Sequence, residues 1–129
     1  MLADTCPLYA LRDPDDARHA RASGELKRLG AGRLTVAVPY PVLLEAYSLV
    51  MRKLNLAEAR AFLSHVEATY PTVLADRPDH EEASRSVRRY PDQDVTMVDA
   101  VVAAMASRLS VPVWTHDHHF DTLGAAVWR

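Results

Sequence analysis

The sequence predicts an α/β fold in which a parallel sheet carries helices on both faces. Three observations predict it. Short apolar runs rich in β-branched residues, at 34–38 and 111–115, alternate with longer segments of helical periodicity. Two acids, Asp4 and Asp117, follow directly on strand candidates, at the edge where ligands gather in parallel sheets. The 129 residues, 49% hydrophobic and 25% charged, are enough for one core in one domain over 1–129. The formal charge of −2 excludes a protein whose bulk charge attracts nucleic acid, so a polyanion must meet a local patch.

In chain order, 1–3 is a short apolar strand ending at Asp4, and Thr5-Cys6-Pro7 breaks it. A helical turn is expected over 8–11. Asp13-Pro14-Asp15-Asp16 reads as a helix start, with a capping acid and proline at the first position. That helix runs to about Leu29 and stops at Gly30-Ala31-Gly32. Strand 34–38 follows. Pro39 and Pro41 lead into a helix over 42–53, and Asn55 caps another over 55–69. Residues 72–75 read as a strand and 78–90 as a polar, exposed helix. An apolar helix over 96–109, a strand over 111–115, a turn of helix around Phe120 and a last strand over 125–128 complete the chain.

Four acids stand out. Glu45 lies in P-V-L-L-E-A-Y-S-L-V-M, a helix apolar nearly all round, where a lone ionised glutamate costs several kcal/mol. The alternative places it on a narrow solvent strip beside Ser48. Asp99 is the one charge between Val95 and Ser107, and Thr96-Met97-Val98-Asp99 also matches a capping box. The alternatives for Asp4 and Asp117 are a local turn with Thr5 and a cap on the helix near Phe120. Asp94 and Asp121 are weaker candidates. Gathered at one sheet edge, Asp4, Glu45, Asp99 and Asp117 would repel one another, and a hard divalent cation such as Mg²⁺ would remove that repulsion. One or two such ions activate water and stabilise charge on a phosphoryl group under attack. Thr5 and Thr115 could orient that water or a carboxylate.

The segments L-A-D-T, V-L-L-E-A-Y, D-V-T-M-V-D-A-V-V-A-A-M-A and V-W-T-H-D-H-H-F, in this order, resemble the PIN-domain nucleases, and among them VapC-like toxins of toxin–antitoxin pairs. D-x-x-H at Asp16–His19 looks like a further family feature. The resemblance implies a PIN-like three-layer α/β/α sandwich with a mostly parallel central sheet of four to five strands. It implies Mg²⁺- or Mn²⁺-dependent cleavage of RNA, a homodimer, and a small antitoxin over the acidic groove. Carried over residue by residue, Asp4, Glu45, Asp99 and Asp117 become the catalytic, metal-binding acids, with Asp94 in reserve.

His116, His118 and His119 depart from that pattern. They would favour Mn²⁺ or a softer ion; the plainer expectation makes them polar rim residues. Arg12, Arg52-Lys53 and the face carrying Arg85, Arg88 and Arg89 are candidates to hold phosphates. Cys6 stands alone, which excludes an internal disulfide and suits the cytoplasm. No signal peptide or membrane span is legible. Three rivals remain: a receiver-like module, which lacks a lysine after a late strand; a PIN-like binding module without catalysis; and a PIN nuclease in RNA maturation or DNA processing.

Overall fold

The structure is a computed structural model and describes residues 1–129. Its elements are β1 (Leu2–Ala3), α1 (Thr5–Arg12), α2 (His19–Ala31), β2 (Val38–Pro39), α3 (Tyr40–Lys53), α4 (Leu56–Thr69), β3 (Thr72–Val73), α5 (Arg77–Arg89), α6 (Met97–Leu109), β4 (Val113–Trp114), α7 (His119–Thr122) and β5 (Val127–Trp128). Every strand pairing is parallel. β1, β4 and β5 form one sheet, β2 and β3 a second, and a bridge between Leu2 and Ala37 joins them. The order across the molecule is therefore β3-β2-β1-β4-β5. The chain builds outward from β1 on one side, then returns to build on the other. That reversal beside β1 is the switch point at which such sheets open a crevice.

The strands are shorter than the apolar runs. Residues 34–36 form no strand, although the Ala37 amide and carbonyl still bond Met1 and Ala3. At the start of the chain Thr5-Cys6-Pro7 ends the strand as expected, but the helical turn expected over 8–11 is overturned in its bounds, because α1 already begins at Thr5. Asp4 caps α1, and Pro7 sits where the amide would have no intrahelical partner. The expected helix start at Asp13–Asp16 is also overturned, because α2 begins at His19. The Asp13 carboxylate takes the Asp15 amide (3.0 Å) and Asp16 takes the Arg18 amide (2.8 Å). These local turns compete with the helix they were expected to start.

The other helices follow their signals. Asn55 caps α4 through the Glu58 amide at 2.9 Å. Thr96 and Asp99 close a capping box on α6. Leu2, Val38, Val102, Met105, Val113, Trp114 and Phe120 are buried in the core between the sheet and its helices. α5 is mostly exposed as expected, except at Ala83 and Asp79, which are buried. Asp79 accepts a forked ion pair from Arg108 of α6 (2.9 and 2.8 Å), fastening the two helices. No helix is long and apolar enough to cross a membrane.

Candidate metal centre

Parallel pairing of β1 with β4 sets Ala3 against Trp114, so Asp4 and Thr115 leave the sheet side by side. The Asp4 amide donates to the Trp114 carbonyl at 3.0 Å. The Thr115 hydroxyl donates to Asp4 Oδ2 at 2.7 Å and accepts the Asp117 amide at 2.9 Å. The other Asp4 oxygen accepts the Thr5 amide at 2.6 Å, while the Thr5 hydroxyl donates to Glu45 Oε2. Two threonines thus stitch Asp4 to Glu45 on one side and to the Asp117 backbone on the other. Glu45 is half-buried, one turn into α3. Asp99 is buried at the start of α6. Its Oδ2 accepts the Thr96 amide and hydroxyl (3.0 and 2.7 Å), which leaves Oδ1 outside the capping box.

The charges act on one another. Burial pushes the Asp4 carboxyl up from 3.8 to about 6; its hydrogen bonds from Thr115 and Thr5 pull it back, and the charges of Asp99 and Glu45 push it up again. Cys6, half-buried beside this group, is pushed up to about 12 by burial first and by Asp4 next, so its thiol stays protonated and inert. No lysine or arginine forms an ion pair with Asp4, Glu45, Asp99 or Asp117. A buried carboxyl raised by its burial and by neighbouring acids, with no cationic side chain paired to the group, fits a hard divalent ion. The Asp4, Glu45 and Asp99 oxygens are spaced more widely than Asp117, His118 and His119, whose donor atoms all lie within 4.8 Å of one another.

The PIN domain family matches residues 1–126. The chain belongs to the PIN-domain family. Among solved structures, it is similar to VapC20 of Mycobacterium tuberculosis, a sarcin–ricin loop cleaving toxin, with a TM-score of 0.85, 24% identity, and 99% of this chain and 98% of that one covered. It is also similar to VapBC2 of Rickettsia felis, solved with a promoter DNA fragment (TM-score 0.75, 12% identity, 99% and 96% covered). FitAcB of Neisseria gonorrhoeae gives 0.74 at 20% identity, with 99% and 96% covered. At these identities the likeness is one of fold. A comparison with curated proteins found no match.

The fold of this PIN domain corrects the histidine expectation at one position. His116 is no rim residue: its side chain is fully buried and its Nε2 lies 2.7 Å from Glu25 Oε2. Glu25, which the sequence reading passed over, also accepts the Trp114 indole (2.7 Å) and Arg21 Nε (2.8 Å). The signal available was an acid on the inner face of an otherwise apolar helix stripe, between Ala22 and Leu29. Side chains alternate here: Trp114 and His116 turn to Glu25, while Thr115 between them turns its hydroxyl to Asp4. His118 is on the rim at 79% exposure and His119 is mostly covered at 16%. Asp94 is exposed, and Asp121 pairs with Arg129. Of the phosphate candidates, Arg12 is held by Glu58 and Arg85 by Glu82. Arg18, not singled out by the sequence, is exposed and close enough for its charge to act on Cys6.

Proposed function

We propose that this PIN domain is a metal-dependent endoribonuclease, the toxin of a toxin–antitoxin pair. The observation that carries the reading is the environment of Asp4: a buried acid at the switch point, joined through threonines to Glu45 and to the Asp117 backbone, and loaded by the charge of Asp99. Asp4, Glu45, Asp99 and Asp117 are the residues that would hold Mg²⁺ or Mn²⁺. A bound ion there supplies charge stabilisation for a phosphodiester under attack and lowers the pKa of water. The chain's own part is to keep the acids aimed. The Thr115 and Thr5 hydroxyls fix one oxygen each of Asp4 and Glu45, and the capping box fixes Asp99. Arg18, exposed at the edge of this group, is placed to meet a substrate phosphate.

A toxin role is supported by likeness to VapC20, VapBC2 and FitAcB, and to a toxin–antitoxin complex of Klebsiella pneumoniae (TM-score 0.60, 19% identity, 90% of this chain and 85% of that one). It brings a small antitoxin as partner and the cytoplasm as location. A second copy of the chain is a further partner. Tyr40 and Leu44 lie one turn apart on α3, and Leu74 follows β3 beside them, since Val73 is in register with Pro39. With Met51 two turns on, these exposed apolar side chains make a face suited to a homodimer.

The test is RNA cleavage by the purified chain in Mg²⁺ or Mn²⁺, with an EDTA control and Asp99→Asn. Metal-dependent cleavage lost in the variant supports the reading. Cleavage that survives EDTA or the substitution overturns it. Growth arrest on induction, relieved by a neighbouring small gene, tests the toxin role separately.

A further inference from the structure

We propose that Asp117, His118 and His119 form a second cation site, one that carries nitrogen donors and takes a divalent first-row transition metal. One donor atom from each of the three residues lies within 4.8 Å of the others. Asp117 Oδ1 is 3.0 Å from His119 Nδ1 and 3.6 Å from His118 Nδ1. Two donors bound at about 2.1 Å to one ion sit about 3.0–3.5 Å apart, for angles between the square and the tetrahedral. The two distances from Asp117 lie at or near that spacing.

His119 Nδ1 adds an independent observation. It is buried and has no hydrogen-bond partner, because its 3.0 Å approach to Asp117 is badly aligned for one. A buried ring nitrogen left without a partner is uncommon and asks for an explanation. A cation on that lone pair supplies one. The rings of His118 and His119 lie together, with centroids 4.3 Å apart and planes 34° from parallel. The Asp117 carboxylate is held in place by the His119 amide at 2.9 Å, and its backbone by Thr115. His118 is exposed, so an ion reaches the site from solvent and keeps open positions for water.

The donor set selects the ion. Mg²⁺ binds oxygen and keeps its waters, whereas imidazole suits first-row transition ions. Asp117 borders the oxygen cluster through its backbone amide on Thr115, and under the proposed nuclease reading the two ions would share that residue. Binding at this second site stands on its own geometry; only its contribution to RNA cleavage rests on the proposed nuclease reading.

The experiment is pulsed electron paramagnetic resonance of the tag-free full chain with one equivalent of Mn²⁺, together with calorimetric titration by Ni²⁺ and by Mg²⁺. Imidazole nitrogen coupling to Mn²⁺ is expected in the wild type and in Asp99→Asn. It should disappear in the His118→Ala/His119→Ala double variant. Ni²⁺ affinity should fall by about tenfold or more in that variant, with Mg²⁺ affinity changed far less. His118→Ala alone, at an exposed position, should also weaken Ni²⁺ and guards against misfolding of the double variant. Absence of nitrogen coupling in the wild type, or its persistence in the double variant, overturns the proposal. Nitrogen coupling in a chain that cleaves no RNA would sink the nuclease reading and leave this site standing. Mg²⁺-driven cleavage without nitrogen coupling would do the reverse.

Discussion

Two buried carboxylates flank β4, and the protein treats them in opposite ways. Glu25 is surrounded by donors: Arg21, the Trp114 indole and His116. Burial by itself would raise its pKa, but these partners outweigh it and hold the carboxyl below its ordinary value. Asp4 meets one hydroxyl, one amide and the charges of other acids, and burial pushes it up to about 6. Glu25 is therefore a finished structural node. Asp4 has no such cationic partner, and in the proposed function a bound cation supplies the counter-charge. Asp79 repeats the first pattern, held low mainly by Arg108. The identity of the nearest partners, more than the depth of burial, separates the acids held low from the one pushed up.

Substitution at the two acids should break this contrast in opposite directions. The largest effects belong to function and to Glu25. Asp99→Asn or Asp4→Asn should lower RNA cleavage by at least about 100-fold, since even residues behind a metal's ligands cost 10–100-fold. Steady-state kinetics in Mg²⁺ measures this. Glu25→Ala leaves buried donors unpaired and should cost about 3 kcal/mol of stability, read by chemical denaturation. If Glu25→Ala proved neutral while Asp4→Asn destabilised the metal-free chain, the contrast would be inverted.

The pH dependence sharpens it further. The folded Asp4 pKa of about 6 lies above its ordinary 3.8, so the folded state binds the extra proton between those values. Its contribution in the metal-free chain is a penalty at neutral pH. That penalty is relieved as pH falls from about 7 toward 4, by at most about 3 kcal/mol. Asp4→Asn should remove this slope in EDTA. Glu25 and Asp79, held low, keep their stabilisation across the same window and lose it only below their ordinary values of 4.5 and 3.8. Denaturation curves from pH 7.5 to 4.5 separate the two behaviours.

Smaller shifts should follow from added metal. Mg²⁺ or Mn²⁺ at ten to a hundred times its Kd should stabilise the wild type by about 1–3 kcal/mol and Asp99→Asn by less. Equal shifts in melting temperature would show that the ion is not held at the acid cluster. Arg18→Ala is expected to raise KM severalfold with little change in kcat, the mark of a residue that meets phosphate without taking part in bond cleavage.

Much of this was legible in the sequence because the signals are local. Strand–helix alternation gave the fold class. Thr96 and Asp99 announced the α6 cap, and acids directly after β1 and before α7 marked one sheet edge. Glu45 was legible as a charge in an apolar helix. The misreadings are local too. Asp13 and Asp16 fit a helix start and a turn equally well, and side-chain capture of amides decided for the turn.

The amino-acid order alone therefore determined the element types, the family resemblance and which acids were costly enough to need a reason. Only the tertiary structure decided which acids were already answered. Glu25 meets Trp114 and His116 across 89 and 91 positions, and Thr115 reaches Asp4 across 111. Periodicity reports whether a side chain faces inward. It does not report what it faces, because that depends on strand order and register, and those are settled by the packing of the whole chain.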